Sequence, residues 1–94
     1  MHPDYRPKNG GISVIQVYGS MLCKDCVECR KLFDEKGVSF EYKDFADELI
    51  NLKTFLNFRE TLPVFDEVKR AGAIGIPCIV LEDGTVTLDY QSVM

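Results

Sequence analysis

The sequence predicts a single α/β domain built on a four-stranded mixed sheet flanked by helices. Three observations point there. An apolar run, Ile12 to Tyr18, leads into a segment with helical spacing and then into an alternating run, Val38 to Lys43, which is the order of a βαβ unit with parallel strands. A second helix-spaced stretch follows. A last apolar run, Ile76 to Leu81, then turns at Glu82-Asp83-Gly84 into Thr85 to Asp89, as an antiparallel hairpin does. Parallel and antiparallel pairs in one sheet make it mixed.

The elements follow in order. Ile12 to Tyr18 has only Ser13 and Gln16 as polar breaks, which suits a strand covered on both faces. The first helix is expected from Lys24 to Lys36, with Cys26, Cys29, Leu32 and Phe33 on its apolar face. Gly37 is placed to end it in the left-handed conformation. The second helix is expected from Ala46 to Phe58, capped by Asp44 or Asp47, with Phe45, Leu49, Leu52 and Leu56 as its inner stripe and Phe55 widening it. Arg59-Glu60-Thr61 reads as a break, with Thr61 capping a further piece that carries Pro63 in its first turn. There Leu62, Phe65, Val68 and Gly72 share a face. Pro77 opens the third strand, a position proline tolerates. Tyr90 to Met94 is too short for a closing helix.

Ninety-four residues hold one core and no second one. Residues 1–11 are polar, with two prolines and Gly10-Gly11. They lack the apolar stretch of a secretory signal and read as a flexible lead-in to a domain over 12–94. No run approaches the roughly 18 apolar residues of a membrane span. A net charge of −4 speaks against nucleic acid as a partner, which calls for clustered Lys and Arg. His2 is the only histidine and lies in the lead-in, which removes Cys-His hydrolysis from consideration. Three of the four cysteines crowd into seven positions, unlike the spread framework of a small secreted domain. A reducing, cytoplasmic compartment is expected.

Chemistry concentrates where the first strand meets the first helix. Cys23 and Cys26 form C-x-x-C at that junction, a spacing used for redox work and also for metal sites. Free N–H groups and the positive dipole end at a helix start favour an anion, and a thiolate is the nucleophile in disulfide exchange. The second thiol lies one turn further in. Cys23 is therefore read as attacking and Cys26 as resolving. Lys24 favours charge on Cys23 and Asp25 opposes it. Cys29 is open between a small buried packing residue, a regulatory thiol and a cluster ligand. Cys78 reads as core. Tyr18 either flanks the thiol or ends a strand in the core.

With those residues in hand, the chain resembles the thioredoxin superfamily, and within it the glutaredoxins, from about Ile12 to Asp89. The likeness rests on C-x-x-C after the first strand, on Tyr18 five residues before Cys23, and on Gly72-Ala73-Ile74-Gly75-Ile76-Pro77, similar to that family's G-x-x-T-V-P segment. The resemblance implies a thioredoxin-like fold lacking most of the last helix. It also implies a cis Pro77 beside Cys23, and Tyr18, Ile76 and Pro77 as substrate-binding residues, with the backbone of Ile76 pairing with a peptide or glutathione. The implied activity is thiol–disulfide exchange on protein or glutathione mixed disulfides through Cys23 and Cys26. No cofactor or metal is required for it, and glutathione is a candidate co-substrate. The expected partners are disulfide-containing proteins or glutathione, and a monomer is expected. The alternative is an iron–sulfur or zinc site on the same fold using Cys23, Cys26 and Cys29. The chain departs from the family pattern at Ser20, Ile74 and Thr87-Leu88, where that family carries a lysine, a basic residue and a Gly-Gly pair.

Overall fold

The structure is a computed structural model that describes residues 14–93. The expected lead-in over 1–11, and the Ile12 end of the first strand, lie outside the described residues. Strand β1 (Ile15–Gly19) is central, as an apolar run covered on both faces should be. Helix α1 (Lys24–Glu35) follows, then β2 (Phe40–Asp44), α2 (Leu49–Thr61), a 3-10 turn (Pro63–Phe65), α3 (Asp66–Arg70), β3 (Cys78–Val80), β4 (Val86–Thr87) and a 3-10 turn (Tyr90–Val93). The sheet order is β2-β1-β3-β4, with β1 and β2 parallel and the other pairs antiparallel, so the expected mixed four-stranded sheet is present.

Strand pleating sorts the core into two layers. Val17 and its neighbour Ile79 face α1, where they meet Cys29 and Phe33. Tyr18 and Cys78, one position along, face the opposite side with Phe55, Phe65, Leu62, Val80 and Val86. The radius of gyration is 12.5 Å, close to the roughly 13 Å of a compact chain this long. Among the described residues no helix is long and apolar enough to cross a membrane.

Helix α1 follows the sequence reading closely. Gly37 ends it at φ +72°, where a side chain would be strained. Helix α2 does not. It starts at Leu49 rather than Ala46, and neither Asp44 nor Asp47 caps it; Glu48 holds the cap position without a side-chain bond. Asp44 is engaged elsewhere. Its carboxylate accepts from the Ala46 N–H at 2.8 Å, and its carbonyl accepts from Asn51 Nδ2 at 2.9 Å. That tight turn delays the helix and rotates the inner stripe. Asn51 and Phe55 are buried, whereas Leu49, expected inward, is 69% exposed, and Leu56 is also exposed.

Thr61 likewise does not cap the next piece. It remains in α2, and its hydroxyl donates to the Asn57 carbonyl at 2.8 Å. The chain breaks one residue later, at Leu62, which turns extended before Pro63. The expected two helical pieces and their shared face of Leu62, Phe65 and Val68 are there. The hairpin closes through Gly84 N–H to the Leu81 carbonyl and Leu81 N–H to the Thr85 carbonyl, both at 2.8 Å.

Candidate functional site

The loop after β1 is short and internally tied. The Leu22 N–H donates to Ser20 Oγ at 3.1 Å, and the Cys23 N–H donates to the Ser20 carbonyl at 3.0 Å. Cys23 then takes the cap position of α1 in an extended conformation, and its carbonyl accepts the first helical bond, from Val27 N–H at 3.1 Å. Among the described residues no side chain caps this helix start. Cys23 therefore stands at the positive end of the helix dipole, next to first-turn amides that have no partner within the helix. Lys24 and Asp25 point outward and are exposed.

Cys23 is half-buried and lines a cleft of about 520 Å³ with Ser20 and Leu22. Residues 73 to 76 (Ala73, Ile74, Gly75, Ile76) form the rest of its lining. None of these lining side chains is charged. Leu22, directly before Cys23, is 98% exposed, and Ile74 is 59% exposed. Two devices hold the 73–76 wall. Arg59, in the last turn of α2, donates through Nη2 to the Ala73 carbonyl at 2.7 Å and through Nε to the Ile74 carbonyl at 2.8 Å. Gly75 sits at φ +96°, and a Cβ there would fall 2.9 Å from the Phe65 ring, so the backbone can pack this closely only as glycine. The Ile76–Pro77 bond that follows is cis.

Cys26 lies beneath Cys23 with no exposed surface. Burial pushes its thiol up to about 12; the neighbouring Cys23 adds to the rise, while the Ser20 backbone and the Tyr42 hydroxyl act against it. Its place depends on Gly19. A Cβ at Gly19 would stand 2.6 Å from Cys26 Sγ and 3.1 Å from the Tyr42 hydroxyl, so both atoms rest on the bare face of the last residue of β1. Tyr42 reaches this point from β2, where it is paired with Val17 and so faces α1. Its hydroxyl is buried without a hydrogen-bond partner. It lies near enough to Cys26 Sγ for each group to weigh on the other's ionisation. Burial, followed by the Cys26 sulfur, holds the Tyr42 phenol above its ordinary range.

The other cysteines go elsewhere. Cys29 is fully buried against Val17, Phe33 and Ile79, and burial pushes it up to about 12. Cys78 is fully buried on the other face of the sheet, where burial likewise pushes it up to about 12. Among the described residues no three His, Cys, Asp or Glu side chains gather around one point. Cys23, Cys26 and Cys29 as placed in one chain therefore do not fit a cluster or zinc site. Of the substrate residues implied by resemblance, Ile76 lines the cleft and Pro77 is buried next to it. Tyr18 is not among the lining residues. It is buried in the core, edge-to-face with Phe58 at 5.8 Å, and donates to Gln16 Oε1 at 3.3 Å.

Sequence reasoning missed Gly19, Tyr42 and Arg59. Gly19 carried a signal, since a glycine closing an apolar strand marks a close approach. Tyr42 and Arg59 carried none, because their roles come from strand register and from a loop folded back on α2.

Fold and site together define a compact α/β protein with a dithiol at the start of its first helix, one sulfur open to an apolar cleft and the other enclosed. The chain belongs to the same family as an uncharacterized protein of Haemophilus influenzae, with which it is 34% identical over 69 residues, covering 73% of this chain and 80% of the relative. No family model matches it, and no solved structure matches it.

Proposed function

We propose that this protein is a thiol–disulfide oxidoreductase on a thioredoxin-like fold, related to glutaredoxins, acting as a monomer in a reducing cytoplasm. Cys23, as thiolate, attacks one sulfur of a substrate disulfide. A Cys23–substrate disulfide forms, and the other substrate sulfur leaves as a thiolate and takes a proton. Cys26 then loses its proton and attacks Cys23 Sγ. The Cys23–Cys26 bond forms, the bond to substrate breaks, and the second substrate thiolate departs with a proton. Two electrons have passed to the substrate.

The observation that carries this reading is the division between the two sulfurs. One stands at an uncapped helix start on the wall of an open cleft, and the other is enclosed one turn below it. The lining also bears on the substrate. Glutathione is anionic, and none of the described lining residues is a cation, so the reading favours protein disulfides flanked by apolar residues.

The test is single-turnover reduction of an apolar disulfide peptide, compared with oxidised glutathione. Cys23→Ser should abolish exchange with either. Cys26→Ser should stop at a trapped mixed disulfide, visible as a mass adduct. Full turnover by both variants would overturn the proposal.

A further inference from the structure

Tyr42 presents a puzzle that packing does not answer. Its ring fills space on the α1 face of the sheet, with the Arg30 guanidinium 5.1 Å from the ring centroid. A phenylalanine would fill that space equally well and would not bury an unpaired hydroxyl, which costs free energy. Among the described residues, Tyr42 Oη is the one buried side-chain nitrogen or oxygen found without a hydrogen-bond partner. It rests on the same bare patch of Gly19 as Cys26 Sγ.

In the resting protein Cys26 is a thiol, and a thiol is a weak acceptor. The hydroxyl therefore has little to bond. Resolution changes this. Cys26 must pass through a thiolate, a full charge on an atom with no exposed surface, and such a charge is costly unless something donates to it. We propose that Tyr42 is a catalytic residue of the resolving step: its hydroxyl donates a hydrogen bond to the Cys26 thiolate as that sulfur turns on the mixed disulfide at Cys23. The orphan donor of the resting state is the matched donor of the reacting one.

No proton leaves Tyr42. Because burial holds its phenol above the ordinary range, it serves as donor and not as base. The Cys26 proton passes to water, and the departing substrate thiolate gains one, so charge and atoms balance. The Ser20 backbone supports the same thiolate from the loop side. The other titratable or charged groups facing this point are Cys23 and Arg30 on α1 and Asp44 on β2. Cys23 is tied up in the mixed disulfide during the step, and Asp44 acts on the Tyr42 phenol, helping it to keep its proton.

The inference rests on the dithiol reading, and the experiment separates the two. Reduced protein is mixed with Ellman's reagent in a stopped-flow instrument. Attack by Cys23 releases a first equivalent of chromophore, and resolution by Cys26 releases a second. In Tyr42→Phe the second phase should slow about tenfold relative to the first, as a lost hydrogen bond to a charged atom implies. Its pH profile should move to higher pH, a change that altered packing alone would not produce. An unchanged second phase with an unchanged profile would overturn the role of Tyr42. A first phase that survives Cys23→Ser would instead overturn the dithiol reading beneath it. Should Tyr42→Phe fold poorly, a ring-fluorinated tyrosine at 42 keeps the shape and strengthens the donor. It should speed the second phase, and no change in rate would count against the proposal.

Discussion

Gly19→Ala adds one methyl group to the last residue of β1, at the point where Cys26 and Tyr42 meet. The new Cβ would stand 2.6 Å from Cys26 Sγ, where ordinary contact begins at 3.4 Å, so roughly 0.8 Å has to be found. It would also stand 3.1 Å from the Tyr42 hydroxyl, which has to give by a few tenths of an ångström. Neither neighbour is the loose end of a surface side chain. Cys26 is held in α1 and fully buried, and the Tyr42 hydroxyl is enclosed. Overpacking of this kind costs typically about 1–3 kcal/mol. Alanine recovers part of it, because it loses less backbone freedom on folding than glycine, by roughly 0.5–1 kcal/mol. A net loss of about 1–2 kcal/mol lowers the melting midpoint of a domain this size by roughly 10 °C. Thermal unfolding followed by circular dichroism reads this directly. The same shift should carry Cys26 away from Cys23 and slow the second phase of the Ellman reaction. Gly37→Ala is the control. Gly37 has φ +72°, and no described residue comes within 4 Å of where its Cβ would stand, so alanine there should cost about 1 kcal/mol of conformational strain and leave exchange alone. If Gly19→Ala melts with the wild type and keeps both phases, Cys26 and Tyr42 do not pack over Gly19, and the geometry of the resolving step is wrong.

Arg59→Ala removes both hydrogen bonds to the 73–74 carbonyls. It should cost about 1 kcal/mol and slow exchange with an apolar disulfide peptide, while leaving Cys23 alkylation by iodoacetamide unchanged. Arg59→Lys should recover little, since an ammonium lacks the planar fork that reaches both carbonyls. Cys29→Ser sets a hydroxyl among Val17, Phe33 and Ile79. It should destabilise the fold by about 1–3 kcal/mol in a urea melt without altering either phase of exchange, and an exchange defect would mark Cys29 as more than core. Stability should also fall at alkaline pH. Burial raises Cys26, Cys29 and Cys78 from 9.0 to about 12 in the folded chain, so the folded state keeps protons that the unfolded chain releases. Their contribution is whole below pH 9 and is lost as pH rises from there through 12, which urea midpoints taken at neutral and alkaline pH will show. A midpoint that holds steady across that range would contradict the burial of these thiols.

What was legible in the sequence was what is decided locally. Helix α1 was bounded by its own signals, the C-x-x-C after the first strand at one end and Gly37 at the other. The β3–β4 turn was likewise set by Glu82-Asp83-Gly84. Helix α2 was harder, because apolar residues lie nearly all round it: Leu49, Ile50, Leu52, Phe55, Leu56 and Phe58. With the period blurred, the start residue decided which face turned inward. That start was set by Asp44, whose carboxylate and carbonyl hold a turn and reach Asn51. The dithiol was legible because both sulfurs belong to one helix start. The Gly19–Cys26–Tyr42 contact was not, since it joins β1, α1 and β2 and exists only in the register that sets Val17 beside Tyr42. Tyr18 was misleading in the other direction. Its place before Cys23 suggested the pocket, but strand alternation turns it into the opposite core layer.

The exchange mechanism depends on unequal thiols, and competitive alkylation measures that inequality most directly. Native protein is treated briefly with iodoacetamide at neutral pH, unfolded, fully labelled with a second isotope, and mapped by peptide mass spectrometry. Cys23 should be labelled far faster than Cys26, Cys29 and Cys78, and faster than the same thiol in the denatured chain. Labelling of Cys26 as fast as Cys23, or a Cys23 no quicker than in the unfolded protein, would contradict the assignment of attacking and resolving sulfurs.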